Sequence, residues 1–338
     1  MFEWILLAAA FAGGMFGAAV GAIPAFILTG VAAIISAAIA IITGQGDLVG
    51  AVAFGPFLGP HVAFAGGVAG AAYAAKKGKL DGGKSILTAL AGVDSPDILL
   101  VGGVFGALGY LFTWLYNMVP SIGGLGWTDT VGLSVVTTAI IVRLVFGNSG
   151  IFGKVPTGYS RWIHSDKGAW IPWQSKPLQM IALAVAFGFP AAYITHAYAD
   201  LPGGGTIPVL FFGFSAFSLV FLQFGTNVPV THHITLAAGS AAAITGDVWW
   251  GLAFGLLGIF VGEMVACTFT SYGDTHIDPP AASLATTTLL LAVFSALGLF
   301  NATGIAAFIV VLVVAGLGYG LFSWLQRPSV AAVLSTGD

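Results

Sequence analysis

Phe224 to Gly246 reads FGTNVPVTHHITLAAGSAAAITG. A paired histidine and an Asn-Val-Pro break lead into a run of small apolar residues. That run is short for a membrane span, which needs about 20 residues. The chain carries the pattern twice, because Phe54 to Ala75 reads FGPFLGPHVAFAGGVAGAAYAA. A shift of 172 residues puts His61 on His233, Val62 on Ile234, Phe64 on Leu236, Ala65 on Ala237 and Gly67 on Gly239. A second correspondence lies downstream at a shift of 149, where Phe105-Gly106 meets Phe254-Gly255 and Leu108-Gly109 meets Leu257-Gly258. The same shift puts Asp129 on Asp278, Ser134 on Ser283 and Thr137-Thr138 on Thr286-Thr287. The two shifts differ by a lysine-bearing loop found only in the first copy. Internal duplication is the expectation.

Outward from these two stretches, composition fixes the solvent. The hydrophobic fraction is 58% and the charged fraction 7%, with a mean hydropathy of +0.99. An average soluble domain carries about 25% charged residues, so too little polar surface exists to coat a globule in water. Backbone groups in lipid must be satisfied within a helix or by barrel closure. The apolar runs are continuous and about 20 residues long, which selects helices over an alternating barrel pattern. The predicted fold is an all-α polytopic membrane protein of about 10–11 transmembrane or half-membrane helices. The 49 glycines suit close helix–helix approach in a bilayer and are compatible with a homo-oligomer. The net charge of −3 and the lack of a basic tract give no sign of a nucleic-acid partner. The lone Cys267 excludes an internal disulfide and a cysteine metal cage. MFEWILLAAAFAGG lacks the positive flank of a secretory signal and reads as the first span.

In chain order, helices are expected near 3–20, 24–43, 61–75, 96–116 and 129–145, then near 177–197, 205–223, 233–245, 247–270, 279–299 and 303–325. This divides the chain into a first membrane repeat (1–147), a linker (148–176), a second repeat (177–299) and an extra C-terminal helix with its tail (300–338). In the linker, Lys154, Arg161, Lys167 and Lys176 mix with Trp162, Trp170 and Trp173, the composition of a membrane–water interface. Lys and Arg concentrate in 76–84, 143–176 and at Arg327, so the positive-inside rule places loops 76–95 and 148–176 in the cytoplasm of a cell-membrane protein. Five helical elements per half, an odd number, would leave the two halves inverted. A pair of short, Gly/Pro-interrupted segments at matched positions is the best sequence pointer to a transporter's binding site.

Each polar residue has a bland reading beside the functional one. His61 and His233 either bond a carbonyl and cap their short helices or line a substrate path, with Asn227 and Thr231 beside the second. His232 is expected to face elsewhere. Asp129 and Asp278 precede helices, and Pro279 fits a first turn, so N-capping is their expected main role; a cap at a pore mouth also touches solute. Ser134, Thr137, Thr138, Ser283, Thr286, Thr287 and Thr288 either bond back to their own helices or line a polar pathway. Glu263, inside the apolar run LLGIFVGEMVACTF, is a functional candidate by default, with proton coupling as one role open to it. Arg143, near a helix end, is expected to snorkel to the interface.

PVTHHITLAAGSAAAITG, then a Gly-rich helix, then HIDPPAASLATTTLLLAVF resembles the HPP transmembrane family. That family is marked by a Gly-His element followed one helix later by His-Pro-Pro. Here Thr-His-His stands for Gly-His, and Asp278-Pro279-Pro280 stands for His-Pro-Pro, with His276 two positions before the aspartate. The similarity covers roughly residues 228–297. The family is linked to nitrite transport, so the resemblance implies a small-anion permease. The five-plus-five plan also resembles urea transporters in outline.

The expected function is a permease or channel for a small polar solute or ion, small anions favoured, with no cofactor and the lipid bilayer as its surroundings. One alternative is a transition-metal transporter using His61, His232, His233, His276, Asp274 and Asp278, since imidazole and carboxylate suit such ions. Another is an intramembrane metalloenzyme on the same residues, although the chain has no HExxH, nucleophile elbow or paired-carboxylate motif. A non-catalytic subunit of a membrane complex is a third. No GxxxxGK[ST] occurs, so transport would be passive or driven by an ion gradient.

Overall fold

The computed structural model describes residues 3–162 and 169–327; Lys167 of the expected linker and the tail from Pro328 lie outside the described residues. Among those described, the chain is all-helical and no strand forms. The first half contains α1 (Trp4–Val20), α2 (Ala22–Thr43), α3 (Ala63–Lys76), α4 (Pro96–Tyr116) and α5 (Thr130–Phe146). The second contains α6 (Pro177–Leu183), α7 (Phe189–Ala197), α8 (Ile207–Ser218), α9 (His232–Thr245), α10 (Val248–Val265) and α11 (Pro279–Ala296), and α12 (Ile305–Leu325) follows.

Proline and aspartate set many of the boundaries. Pro96, Pro177, Pro208 and Pro279 sit in the first turns of α4, α6, α8 and α11, where the missing N–H costs nothing. Asp129, Asp247 and Asp278 cap α5, α10 and α11 by accepting N–H bonds of the first turn. α2 begins two residues before the expected start at Pro24, because Gly21 makes the break itself at φ 98°. Pro190 is absorbed by a π turn at Ala184–Gly188, so α6 and α7 form one rod from Pro177 to Ala197. A second π turn at Ala266–Thr270 extends α10.

Seven of these rods are long and apolar enough to cross a membrane, which with the composition marks a membrane protein. α12 leaves Ile305, Leu317 and Trp324 exposed, as a helix facing lipid would. The two short helices do the opposite. α3 and α9 have 14 residues each, about 21 Å at 1.5 Å per residue, well under the ~30 Å of a hydrocarbon core. Both are buried along most of their length. α3 is enclosed by α1, α2, α4 and α5, and α9 by α7, α8, α10 and α11. The halves meet along α2 with α8 and along α5 with α11.

Close approach at the first of these seams needs glycine. A β-carbon on Gly30 would sit 3.0 Å from the Gly213 carbonyl oxygen, and one on Gly213 would sit 2.9 Å from that of Gly30. At the second seam, a β-carbon on Gly132 would lie 2.7 Å from the Ala281 carbonyl oxygen.

Arg143 does not snorkel. Its side chain is fully buried at the end of α5, bonding Thr275 through Oγ1 and the carbonyl at 2.6 Å each and the carbonyls of Ile151 (3.1 Å) and Phe269 (3.2 Å). The reason is tertiary: the turn after α10 folds over the end of α5 and brings carbonyls within reach of the guanidinium. Arg161 takes the carbonyls of Cys267 and Thr268, and Lys84 those of Thr270 and Ser271. Three cations thus serve five consecutive carbonyls at the negative end of α10 and its π turn.

Candidate functional site

Where the halves meet, they enclose a cavity of about 630 Å³. Its walls come from α2, the first break and loop 84–87, the start of α5, the linker at 169–173, α8, the second break with α9, and the start of α11. Most of the surface is apolar, with Phe26, Phe54, Phe64, Phe212, Trp170 and Trp173 among the lining residues. Phe26 holds three sides together, its ring 5.8 Å from Phe64, 5.7 Å from Phe212 and 4.8 Å from His232.

The polar lining is small and specific. Asp129 and Asp278 both face the cavity while capping α5 and α11. Asp129 Oδ1 accepts the Gly132 N–H at 2.9 Å, and Asp278 Oδ2 accepts the Ala281 N–H at 2.9 Å. His276 joins the second carboxylate alone, with Nε2 3.0 Å from Asp278 Oδ1. Lys84 enters from the loop; burial pushes its ammonium below the ordinary lysine range, Arg143 adds to that, and Asp274 opposes it.

The histidines divide. His232 lines the cavity, whereas His61 and His233 are buried beside it and are not among the lining residues. His233 faces α10, where β-carbons on Gly258 and Gly262 would lie 3.0 Å from its carbonyl oxygen and its Nε2. The His61 carbonyl is packed so tightly on α4 that a β-carbon on Gly109 would collide with it. Among the described residues, six buried side-chain polar atoms have no hydrogen-bond partner: His61 Nδ1, Thr231 Oγ1, His232 Nδ1, His233 Nδ1 and Nε2, and Ser271 Oγ. Five of the six lie on the two breaks.

The hydroxyls mostly turn inward on their own helices. Thr137 bonds Leu133 O, Thr138 bonds Ser134 O and Val135 O, Thr286 bonds Ala282 O, and Thr287 bonds Ser283 O and Leu284 O. None of these four lines the cavity, so back-bonding is the reading the geometry favours for them. Thr137 also meets Tyr116 Oη at 2.9 Å. Asn227 is exposed. Glu263 is buried within α10 and accepts the Cys267 thiol at 3.4 Å. Asp274 lies in the turn after α10, 3.6 Å from Arg143. Partial burial opposes its charge, but bonds from Ser149 and the Asn148 N–H outweigh this and hold its pKa below the usual range.

The chain matches one family over two segments, residues 1–164 and 164–309. It belongs to DUF7973, a family of unknown function. No curated protein and no solved structure matches it.

In this DUF7973 chain no group of three or more His, Cys, Asp or Glu among the described residues is placed to hold a metal ion. His232, His233, His276 and Asp274 therefore do not gather as the metal alternatives would need. Sequence reasoning missed Lys84 and the tryptophans Trp170 and Trp173 as lining residues. Their signal was present, since Lys84 is the last lysine of the loop unique to the first copy, and both tryptophans stand beside the junction of the halves.

Proposed function

We propose that this protein is a membrane permease or channel for a small polar solute or ion, with its path between two inverted repeats. The carrying observation is the set of unpartnered polar atoms on the two breaks. Each such atom costs about 1–3 kcal/mol when buried without a partner. Leucine or phenylalanine would fill the same space without that cost. A solute or ion passing the breaks supplies the missing partners.

The packing supports the repeat. α3 is held by α1 and α4 as α9 is by α7 and α10. The seams join corresponding helices, α2 with α8 and α5 with α11. The reciprocal contact of Gly30 and Gly213 is the kind a twofold relation produces. The two segments of the family match also meet at residue 164, inside the linker. Loops 76–95 and 148–176 would face the cytoplasm, where Arg143, Arg161 and Lys84 gather on one helix end.

The test is flux of small anions, cations and urea-like solutes into liposomes carrying the purified chain. Replacing His61 and His233 together by leucine should lower flux of the carried solute about tenfold or more, while the melting temperature stays level or rises because unpartnered atoms are gone. Undiminished flux in that folded variant removes both histidines from the path.

A further inference from the structure

The breaks call for a polar partner, but the cavity beside them has a charge and a shape of its own. Among the described residues, three formally charged side chains line it: Asp129, Asp278 and Lys84. Two of these are already matched. Asp278 has the His276 imidazole 3.0 Å away, and Lys84 is held by the carbonyls of Thr270 and Ser271 at 3.4 and 3.0 Å. Asp129 has the Gly132 N–H but no ion-pair partner among the described residues. Its carboxylate therefore faces an apolar, aromatic-walled space in which the one lysine, Lys84, is bonded to backbone carbonyls.

His232 and Ser271 also line this space, each 6% exposed and each with a buried polar atom, Nδ1 and Oγ, that has no hydrogen-bond partner. Each can accept a hydrogen bond or, with its proton turned or in the other tautomer, donate one. An anion would fare badly here. The helix N-termini of α5 and α11, whose partial positive charge would attract it, already carry the carboxylates of Asp129 and Asp278. A small inorganic ion would also leave most of the apolar wall without contact, whereas about 300–1,000 Å³ is the range of pockets that enclose drug-sized organic molecules.

We propose that the cavity binds a bulky organic cation, an amine or onium solute with apolar substituents, with Asp129 as its counter-ion and Phe26, Phe64, Phe212 and Trp170 as its wall. Aromatic faces attract cations through their quadrupole, the more so when water is excluded. Only the claim that this cation is then carried rests on the permease reading, which it would widen beyond a small polar solute. The small anion implied by the HPP resemblance is the opposing outcome.

The experiment compares two probes of the same shape and opposite charge, tetraphenylphosphonium and tetraphenylborate. Equilibrium binding is measured to the full chain in lipid nanodiscs, with partition into empty nanodiscs subtracted. Saturable phosphonium binding, with borate about tenfold weaker or more, is expected. Asp129→Asn keeps a good N-cap and should weaken phosphonium about tenfold or more at an unchanged melting temperature. Equal or tighter borate binding, or unchanged phosphonium affinity in a folded Asp129→Asn, overturns the proposal. If that variant does not fold, the two-probe comparison on the natural chain decides alone. Saturable, Asp129-dependent phosphonium binding without flux of any solute upholds this inference and overturns the permease reading. Flux without phosphonium binding does the reverse.

Discussion

Asp129 and Asp278 stand at the same place in their halves and keep different company. Each caps a helix, faces the cavity and accepts an N–H at 2.9 Å. Two residues before Asp278 comes His276, bonded to it at 3.0 Å. Two residues before Asp129 comes Trp127, whose indole N–H turns away to the Tyr116 carbonyl at 2.9 Å. One carboxylate thus has a side-chain partner, and the other has a backbone N–H. The far ends of α5 and α11 differ as sharply. Arg143 ends α5 in a net of carbonyls, while the position 149 residues on is Ala292, a buried apolar residue. The two halves thus differ in where charge is placed at positions that the sequence correspondence pairs.

The largest expected break in this comparison comes at Arg143. Arg143→Met leaves several buried carbonyls without a donor and should cost about 3–5 kcal/mol in denaturant titration of the purified protein, whereas Ala292→Gly should cost about 1 kcal/mol, the usual glycine penalty in a helix. Equal losses would mean that Arg143 is not the staple its geometry describes.

Next come the paired glycines under the breaks. Gly109→Ala drives a methyl into the His61 carbonyl, and Gly258→Ala brings one to 3.0 Å from the His233 carbonyl. The first should lower the melting temperature more than the second, because overpacking costs about 1–3 kcal/mol where nothing can shift. The reverse order would show the first break to be the more yielding of the two.

The smallest effect separates the two caps. Asp129→Ala should cost about 1 kcal/mol for the lost cap, and Asp278→Ala rather more, since His276 loses its partner as well. Asparagine at either position should recover most of the cap. Equal costs would mean that the bond to His276 adds nothing to stability.

Much of the architecture is legible in the sequence. Continuous apolar runs set the helices, and their ends at Pro96, Tyr116, Pro177, Ala197, Thr245 and Pro279 fall where Pro, Gly and Asp punctuate the chain. Capping by Asp129 and Asp278 was legible too, because a cap is a matter of three adjacent residues. Arg143 was misread because its closest partner, Thr275, lies across the fold in a turn more than a hundred residues away.

The sequence by itself determined a helical membrane protein, the extent of its rods, and the two short interrupted segments, since these follow from composition and local chain chemistry. Only the tertiary structure decided that His232 faces the cavity while His233 faces α10. Neighbours on a helix point about 100° apart, and in a helix apolar on every side no periodicity fixes the rotation. The packing of α8 and α10 around α9 fixes it.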